Sequence, residues 1–187
     1  MTPVPPASWE AWDWNVSVLH AIQSTLPVTP AARSITRTLC EAPLVLCVAL
    51  AAWSIVARRR YALGLTVVLA SALVVIVESV VARVAPQPRP FTLGLATVPI
   101  EHVANNALPS THVALGCVVW AAFVAAGRNC VASICFAATL AMMWARVATG
   151  LHWPIDMLGA VLTAAPAVIV GHVLSRRLTP NLIRSTD

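Results

Sequence analysis

The chain has 187 residues, of which 59% are hydrophobic and 10% are charged, and its formal net charge is +5. Soluble domains carry about 25% charged residues, so this composition excludes an ordinary soluble protein. The apolar runs are continuous rather than alternating, which excludes a membrane barrel and predicts an all-α, polytopic transmembrane helix bundle. The length predicts one integral membrane domain over residues 1–187.

The N-terminal region, 1–40, is predicted to be an amphipathic segment. Within it, 12–26 mixes Trp, Asp, Asn, His and Gln with apolar residues, and prolines at 27 and 30 close it. This pattern is typical of a helix lying in the membrane interface, and a short sixth membrane helix is the alternative. Five tryptophans predict an interfacial aromatic belt: Trp9, Trp12, Trp14, Trp144 and Trp153.

Five further segments are long and apolar enough to cross a bilayer core, which requires about 20 residues. A long outer loop, 83–109, separates the second segment from the third. The sequence therefore predicts five membrane helices, or six if 12–26 also inserts. The five segments are 41–57, 62–82, 110–126, 130–146 and 155–174.

All 12 basic residues are arginines, and their distribution predicts the orientation in the membrane. Seven arginines lie in the short links 57–61 and 127–129 and in the tail after Leu174, and five lie on the other side. Because arginine-rich loops favour the cytoplasm, we expect the tail inside and the loop 83–109 outside. In a membrane protein this basic balance reflects the orientation rule rather than nucleic-acid binding. The expected partners are a lipid-phosphate substrate and membrane lipids, and not nucleic acid.

Three polar clusters fall on that same predicted outer side. The first, 83–90, follows the second span and contains two arginines. The second, LPSTH at 108–112, opens the third span. The third, ARVATGLHWPID at 145–156, joins the fourth span to the fifth. Chance would scatter such clusters over both faces, so their coincidence predicts one shared site.

The arginines and the helix start in these clusters suit an oxyanion. Arg89 and Arg146 can bind a phosphate through paired N–H groups. Ser110 begins a predicted helix, where the first backbone N–H groups lack partners inside the helix and attract anions.

The two histidines of the clusters are candidates for proton transfer or nucleophilic attack. His112 and His152 have ordinary pKa values near neutrality. Asp156 lies one helical turn after His152, so it can bond one imidazole nitrogen and leave the other free. No group of His, Cys and Asp residues has the spacing of a metal site, so we expect no metal.

The clusters resemble the three signature motifs of the type 2 phosphatidic acid phosphatases, and they are most similar to the bacterial undecaprenyl-diphosphatase branch. The resemblance spans residues 83–156, and the helix pattern extends it to most of the chain. It implies a phosphoric anhydride or monoester hydrolase that needs no metal or other cofactor. The matching motifs are Arg89-Pro90, then Pro109-Ser110-Thr111-His112, then Arg146-x5-His152-x3-Asp156.

The resemblance also implies roles for individual residues. His152 would attack the terminal phosphorus and form a phosphohistidine, and Asp156 would orient it. His112 would protonate the leaving oxygen and then activate water. The phosphate oxygens would be held by the side chains of Arg83, Arg89, Arg146 and Ser110 and by the backbone of Thr111.

Three positions depart from the family pattern. Alanine stands at position 82, where the family has a lysine, and the neighbouring Arg83 is expected to replace it. Ala145 stands where the family often has a serine. Thr111 stands where glycine or aspartate is more familiar.

The implied reaction is hydrolysis of undecaprenyl diphosphate to the monophosphate and inorganic phosphate, in carrier lipid recycling for peptidoglycan biosynthesis. The resemblance and the arginine distribution together imply a location in the bacterial inner membrane, with the site facing the periplasm or exterior. Alternatives are a phosphatase of phosphatidate, phosphatidylglycerophosphate or lipid A phosphate, and a lipid transporter without chemistry. The sequence leaves the oligomeric state open.

Overall fold

A computed structural model describes residues 12–26, 29–95 and 106–180. These residues form seven α-helices and a short 3-10 turn at Pro90–Leu93, which confirms the predicted helical class. The helices are α1 (Asp13–Ser24), α2 (Pro30–Leu39), α3 (Ala42–Val56), α4 (Tyr61–Val84), α5 (Thr111–Ala125), α6 (Asn129–Ala148) and α7 (Pro154–Leu178).

Four segments of the described chain are long and apolar enough to cross a membrane: α2 with α3 (Pro30–Val56), α4, α6 and α7. The first begins earlier than the predicted 41–57, because α2 runs almost directly into α3. Apolar side chains such as Val45, Val84 and Leu162 are exposed on these helices. Such surfaces suit contact with lipid tails rather than with water.

The remaining predicted span is the central helix, α5. It has 15 residues, shorter than the other candidates, and eight of them are buried. It packs against α3, α4, α6 and α7, so the bundle shields it from lipid. Elsewhere α7 approaches α4 closely at Gly171, where an added Cβ would lie 2.9 Å from the carbonyl oxygen of Thr66.

Helix α1 has 12 residues and spans about 18 Å, which is too short to cross a bilayer. It docks on the bundle by burying Leu19 in the main core. Its Asn15 Oδ1 accepts from the amide of Ile155 at 3.2 Å, at the start of α7. Its Gln23 Nε2 donates to the carbonyl of Leu95 at 2.7 Å. The predicted interfacial position of this segment therefore fits the structure better than the alternative, a sixth membrane span.

The helix order places the polar clusters together. Helices α4 and α6 end, and α5 and α7 begin, at one end of the bundle, which we call the site end. At the opposite end, the arginine end, lie Arg58, Arg59, Arg60, Arg128 and Arg176. The three polar clusters and this group of arginines therefore lie at opposite ends of the bundle.

Candidate active site

His152 is the centre of the polar cluster at the site end, and its side chain is only 1% exposed. Its Nε2 lies 2.9 Å from Arg89 Nη1 and 3.2 Å from Arg146 Nη2. Its Nδ1 lies 2.9 Å from the carbonyl oxygen of Ala107 and 3.2 Å from Asp156 Oδ2. The fold thus brings together four side chains or backbone groups from three separate stretches of the chain.

These contacts fix the tautomer of His152. An arginine has N–H donors and no acceptor, so Nε2 must accept from Arg89 and Arg146 through its lone pair. The proton then sits on Nδ1, which donates to the carboxylate of Asp156 and to the carbonyl of Ala107. A neutral imidazole in this state has its nucleophilic nitrogen directed between two guanidinium groups.

Neutral backbone acceptors hold both guanidinium groups in place. Arg89 Nη1 donates to the carbonyl of Leu151, and Arg89 Nη2 donates to that of Asn106, each at 3.1 Å. Arg146 Nη1 donates to the carbonyl of Cys40 at 2.9 Å. Carbonyl oxygens orient the guanidiniums without neutralising them, so the positive charge remains available to an anion.

Both arginines are buried, at 5% and 2% exposure. Burial and, second, the charge of Arg146 lower the pKa of the Arg89 guanidinium to about 10, against the opposing charges of Asp156 and Glu78. The Arg89 guanidinium therefore stays protonated at neutral pH. A dianionic phosphate between these groups would relieve their mutual repulsion.

Asp156 joins the histidine to the start of α7. Its Oδ2 accepts from the backbone amide of Trp153 at 2.8 Å as well as from His152 Nδ1. The predicted interfacial position of Trp153 is wrong, because this side chain is 1% exposed and its Nε1 donates to the carbonyl of Pro88 at 2.9 Å. Trp153 thus connects the first polar cluster to the third.

Two buried polar atoms of the site lack a hydrogen-bond partner among the described residues. They are Ser110 Oγ and Arg146 Nε. Ser110 is the N-cap residue of α5, yet its hydroxyl makes no capping bond. Burying such groups without a partner is unfavourable, and a bound oxyanion would supply the missing partner.

The first turn of α5 carries two further predicted residues. Thr111 Oγ1 donates to the carboxylate of Glu78 on α4. This contact fastens the start of α5 to the last third of α4. His112 follows Thr111 in the first turn and is partly exposed. The start of α5 therefore lies at the same end of the bundle as His152.

The structure does not bring Arg83 into this cluster. Arg83 is exposed on the last turn of α4. An α-helix turns about 100° per residue, so Arg83 points roughly 100° away from Ala82, whereas Glu78 is only about 40° from Ala82. Position 82 therefore faces the site more directly than position 83.

Ala145 is fully buried beside Cys40.

Sequence reasoning missed the segment just before the LPSTH motif. Asn106 Oδ1 accepts from the amide of Gln87 at 2.7 Å, and its Nδ2 donates to the carbonyl of Leu108. The carbonyl of Asn106 then accepts a hydrogen bond from Arg89, and the carbonyl of Ala107 accepts one from His152. The available signal was the asparagine itself, since Asn side chains commonly fix local backbone geometry.

No metal-binding cluster is found in the part of the chain that the structure describes, taking groups of three or more His, Cys, Asp or Glu side chains. The site instead collects cations, a neutral imidazole and a helix start. Chemically, such a set can bind a phosphate and present a nitrogen lone pair to its phosphorus.

Comparisons with known proteins agree with this chemistry. The model of the PAP2 superfamily matches residues 62–179, which is more than half of the chain. The Escherichia coli (strain K12) protein named "Putative undecaprenyl-diphosphatase YbjG" is 27% identical over 176 residues, covering 88% of each chain.

Two solved structures share the fold. Aquifex aeolicus LpxE superposes with a TM-score of 0.74 at 18% identity, covering 88% of this chain and 98% of that one. A transmembrane PAP2 type phosphatidylglycerolphosphate phosphatase from Bacillus subtilis gives 0.68 at 17% identity, covering 92% and 91%. With the family match over α4 to α7, these results show that the chain is a multi-pass membrane protein belonging to the PAP2 superfamily.

Proposed function

We propose that this chain hydrolyses undecaprenyl diphosphate to undecaprenyl phosphate and inorganic phosphate through a phosphohistidine at His152. The observation that carries the proposal is the Nε2 lone pair of His152, directed between Arg89 and Arg146 while Nδ1 donates to Asp156. PAP2 membership supports a lipid-phosphate phosphatase in general. The diphosphate substrate is the finer part of the proposal.

In the first step, Arg89 and Arg146 transfer their donors from His152 Nε2 to the phosphate oxygens. The Nε2 lone pair then attacks the terminal phosphorus in line with the bond to the leaving oxygen. A P–N bond forms and the terminal P–O bond breaks, which releases undecaprenyl phosphate. Arg89 and Arg146 stabilise the charge on the transferred phosphoryl group, with Ser110 Oγ and the amides at the start of α5 as further donors. Asp156 stabilises the positive charge that develops on the imidazole.

In the second step, water cleaves the phosphohistidine. His112, which gave a proton to the leaving oxygen in the first step, takes a proton from the attacking water in the second. Inorganic phosphate leaves, and His152 returns to its neutral form. General acid–base help of this kind contributes about 10²–10⁴-fold, so the larger share of the rate enhancement is assigned to the arginines and the helix start.

The lipid and the membrane side follow from separate observations. The relative from E. coli, whose printed name contains undecaprenyl-diphosphatase, matches along 88% of this chain and favours that substrate. Five arginines line the end opposite the site, so we place that end in the bacterial cytoplasm and the site toward the periplasm. There the enzyme would recycle carrier lipid after its cargo is transferred.

A substrate panel tests the proposal. Purified protein in neutral detergent should release phosphate from undecaprenyl diphosphate without added divalent metal, and at least tenfold faster than from phosphatidate, phosphatidylglycerophosphate or a lipid A phosphate. A higher kcat/KM for one of those lipids would overturn the diphosphate assignment but keep the phosphatase. No release from any of them would leave binding or transport as the function.

Variants of His152 and chelation test the mechanism. His152→Ala should lose essentially all turnover, because the proposed covalent intermediate cannot form. The exposed His20→Ala on α1 is the matched control and should keep the wild-type rate. EDTA should leave the rate unchanged, since the site supplies its positive charge from arginines. More than about a tenth of the wild-type rate in His152→Ala would refute this nucleophile.

A further inference from the structure

A cavity of about 810 Å³ lies at the arginine end, at the opposite ends of the helices that form the candidate active site. Arginines from three separate segments line it: Arg58, Arg59 and Arg60 after α3, Arg128 after α5, and Arg176 near the end of α7. Their convergence needs the folded bundle, because these segments are far apart along the chain. The proposed catalytic reaction uses none of these residues.

No carboxylate among the described residues lines this cavity. The described acids are Asp13 on α1, Glu41 before α3, Glu78 on α4 and Asp156 on α7, and all belong to the site end. Five positive charges therefore face one concave space without a counter-charge from the described chain. Such a focused positive potential attracts anions.

The guanidinium groups lining the cavity also lack hydrogen-bond partners within the described chain, unlike those of Arg89 and Arg146. Helix α4 starts in the cavity wall at Tyr61, and no side chain caps it. Its first-turn amides add donors and the positive end of a helix dipole to the arginines. The cavity therefore presents donors from side chains and from backbone.

Besides the arginines and His172, the cavity is lined by uncharged residues. Thr66 and Ser175 are buried there and share a hydrogen bond of 2.8 Å. Alanines of α4 and α5 and Leu63 supply apolar surface. Tyr61, at the rim, is 49% exposed, as is typical of an aromatic residue at a membrane interface. An anion attached to an alkyl chain fits these neighbours better than a free ion does.

We infer that this cavity binds the phosphate of an anionic phospholipid head group, at the membrane face opposite the candidate active site. The arginines and the start of α4 would bind the phosphodiester oxygens, and the acyl chains would lie along the exposed apolar surfaces of α3 and α4. Basic pockets between membrane helices at the cytoplasmic face are known to accept such head groups. The inference does not depend on catalysis.

Adjacent arginines provide a matched test. Arg176 lines the cavity, whereas its neighbour Arg177 is also exposed at the same end and does not. The wild type, Arg176→Gln and Arg177→Gln, in neutral detergent, are titrated with dioctanoyl-phosphatidylglycerol, and bound lipid is counted by native mass spectrometry. Arg176→Gln should weaken one binding event about tenfold, as expected for one charge-assisted contact, and Arg177→Gln should leave it unchanged.

Two competitors identify the source of the phosphate. Dioctanoyl-phosphatidylcholine, which carries the same tails without net charge, should not displace phosphatidylglycerol, and neither should inorganic phosphate at equal concentration. Displacement by inorganic phosphate would overturn the lipid assignment. Equal weakening by Arg176→Gln and Arg177→Gln, or by neither, would overturn the site, since it would leave only diffuse surface charge. Equal melting temperatures of the three proteins exclude misfolding as the cause.

Discussion

Asp156→Asn tests the geometry of the candidate active site most directly. In the wild type, one carboxylate oxygen accepts from both His152 Nδ1 at 3.2 Å and the amide of Trp153 at 2.8 Å. Asparagine has nearly the same shape, and its carbonyl oxygen can keep the bond to the amide of Trp153. What disappears is the negative charge that stabilises a positively charged imidazole during phosphoryl transfer.

The size of the expected rate loss follows from a second hydrogen-bond acceptor for the proton on His152 Nδ1. The carbonyl of Ala107 lies 2.9 Å from His152 Nδ1, so it can hold the proton on Nδ1 even without the carboxylate. The tautomer should therefore survive, and the loss should approximate one charge-assisted hydrogen bond, about 1.5–3 kcal/mol. This corresponds to a fall in kcat of roughly 10- to 150-fold. If Asp156 alone fixed the tautomer, a loss near 10⁴-fold would be expected, as in a serine protease triad.

The assay is the initial rate of phosphate release as a function of lipid diphosphate concentration, which separates kcat from KM. The effect should fall on kcat, because the charge on the imidazole develops in the transition state. Asp13→Asn, an exposed aspartate on α1, is the control and should behave as wild type. A loss below threefold, or one confined to KM, would refute the role of Asp156 in orienting and stabilising His152.

Three further predictions concern the orientation, the packing and the departures from the family pattern. On a cysteine-free background, Leu93→Cys should react with a membrane-impermeant thiol reagent in spheroplasts, and Arg177→Cys should react only after permeabilisation; the reverse pattern would place the site in the cytoplasm. Gly171→Ala should destabilise the protein by about 1–3 kcal/mol, seen as a lower melting temperature in detergent, because its Cβ would lie 2.9 Å from a backbone carbonyl of α4. An unchanged melting temperature would show that α4 and α7 can separate at no cost. Ala82→Lys should lower KM, since position 82 faces the site, and Arg83→Ala should raise KM by less than threefold. A larger effect of Arg83→Ala would mean that this exposed arginine does reach the substrate.

Residue spacing and the family resemblance pointed to Arg89, Arg146 and Asp156, which the structure places around His152, but also to Arg83, which lies outside the cluster. Asp156 lies four residues after His152, and the arginines of the first and third motifs both contact the same imidazole nitrogen. The order of the helices places these residues at the same end of the bundle, which allows the contacts to form. Four of the five spans were predictable because a bilayer sets the length of a membrane helix, whereas α5, with 15 residues, is shorter than a bilayer core requires.

Backbone contributions could not be predicted in the same way. The carbonyl of Ala107 accepts a hydrogen bond from His152. Every residue has such a carbonyl group, so nothing in the sequence distinguishes this one from any other. Trp153 shows a second limit. A tryptophan next to a helix start in a membrane protein fits both an interfacial belt and a buried N-cap. Its burial and its bond to Pro88, seen only in the structure, separate the two.

The charge balance at the site end explains why a phosphate is the expected ligand. Arg89 and Arg146 converge on one imidazole nitrogen, and their other contacts described above are to uncharged carbonyl groups. Bringing two cations together away from water is costly unless an anion joins them. A divalent metal at the same place would add repulsion, whereas a phosphate group brings negative charge on oxygens that match the guanidinium donors. The unpaired Ser110 hydroxyl fits the same ligand. Substrate binding would thus stabilise a site whose polar groups are otherwise incompletely satisfied, and this surplus of donors is what favours a transferring phosphoryl group.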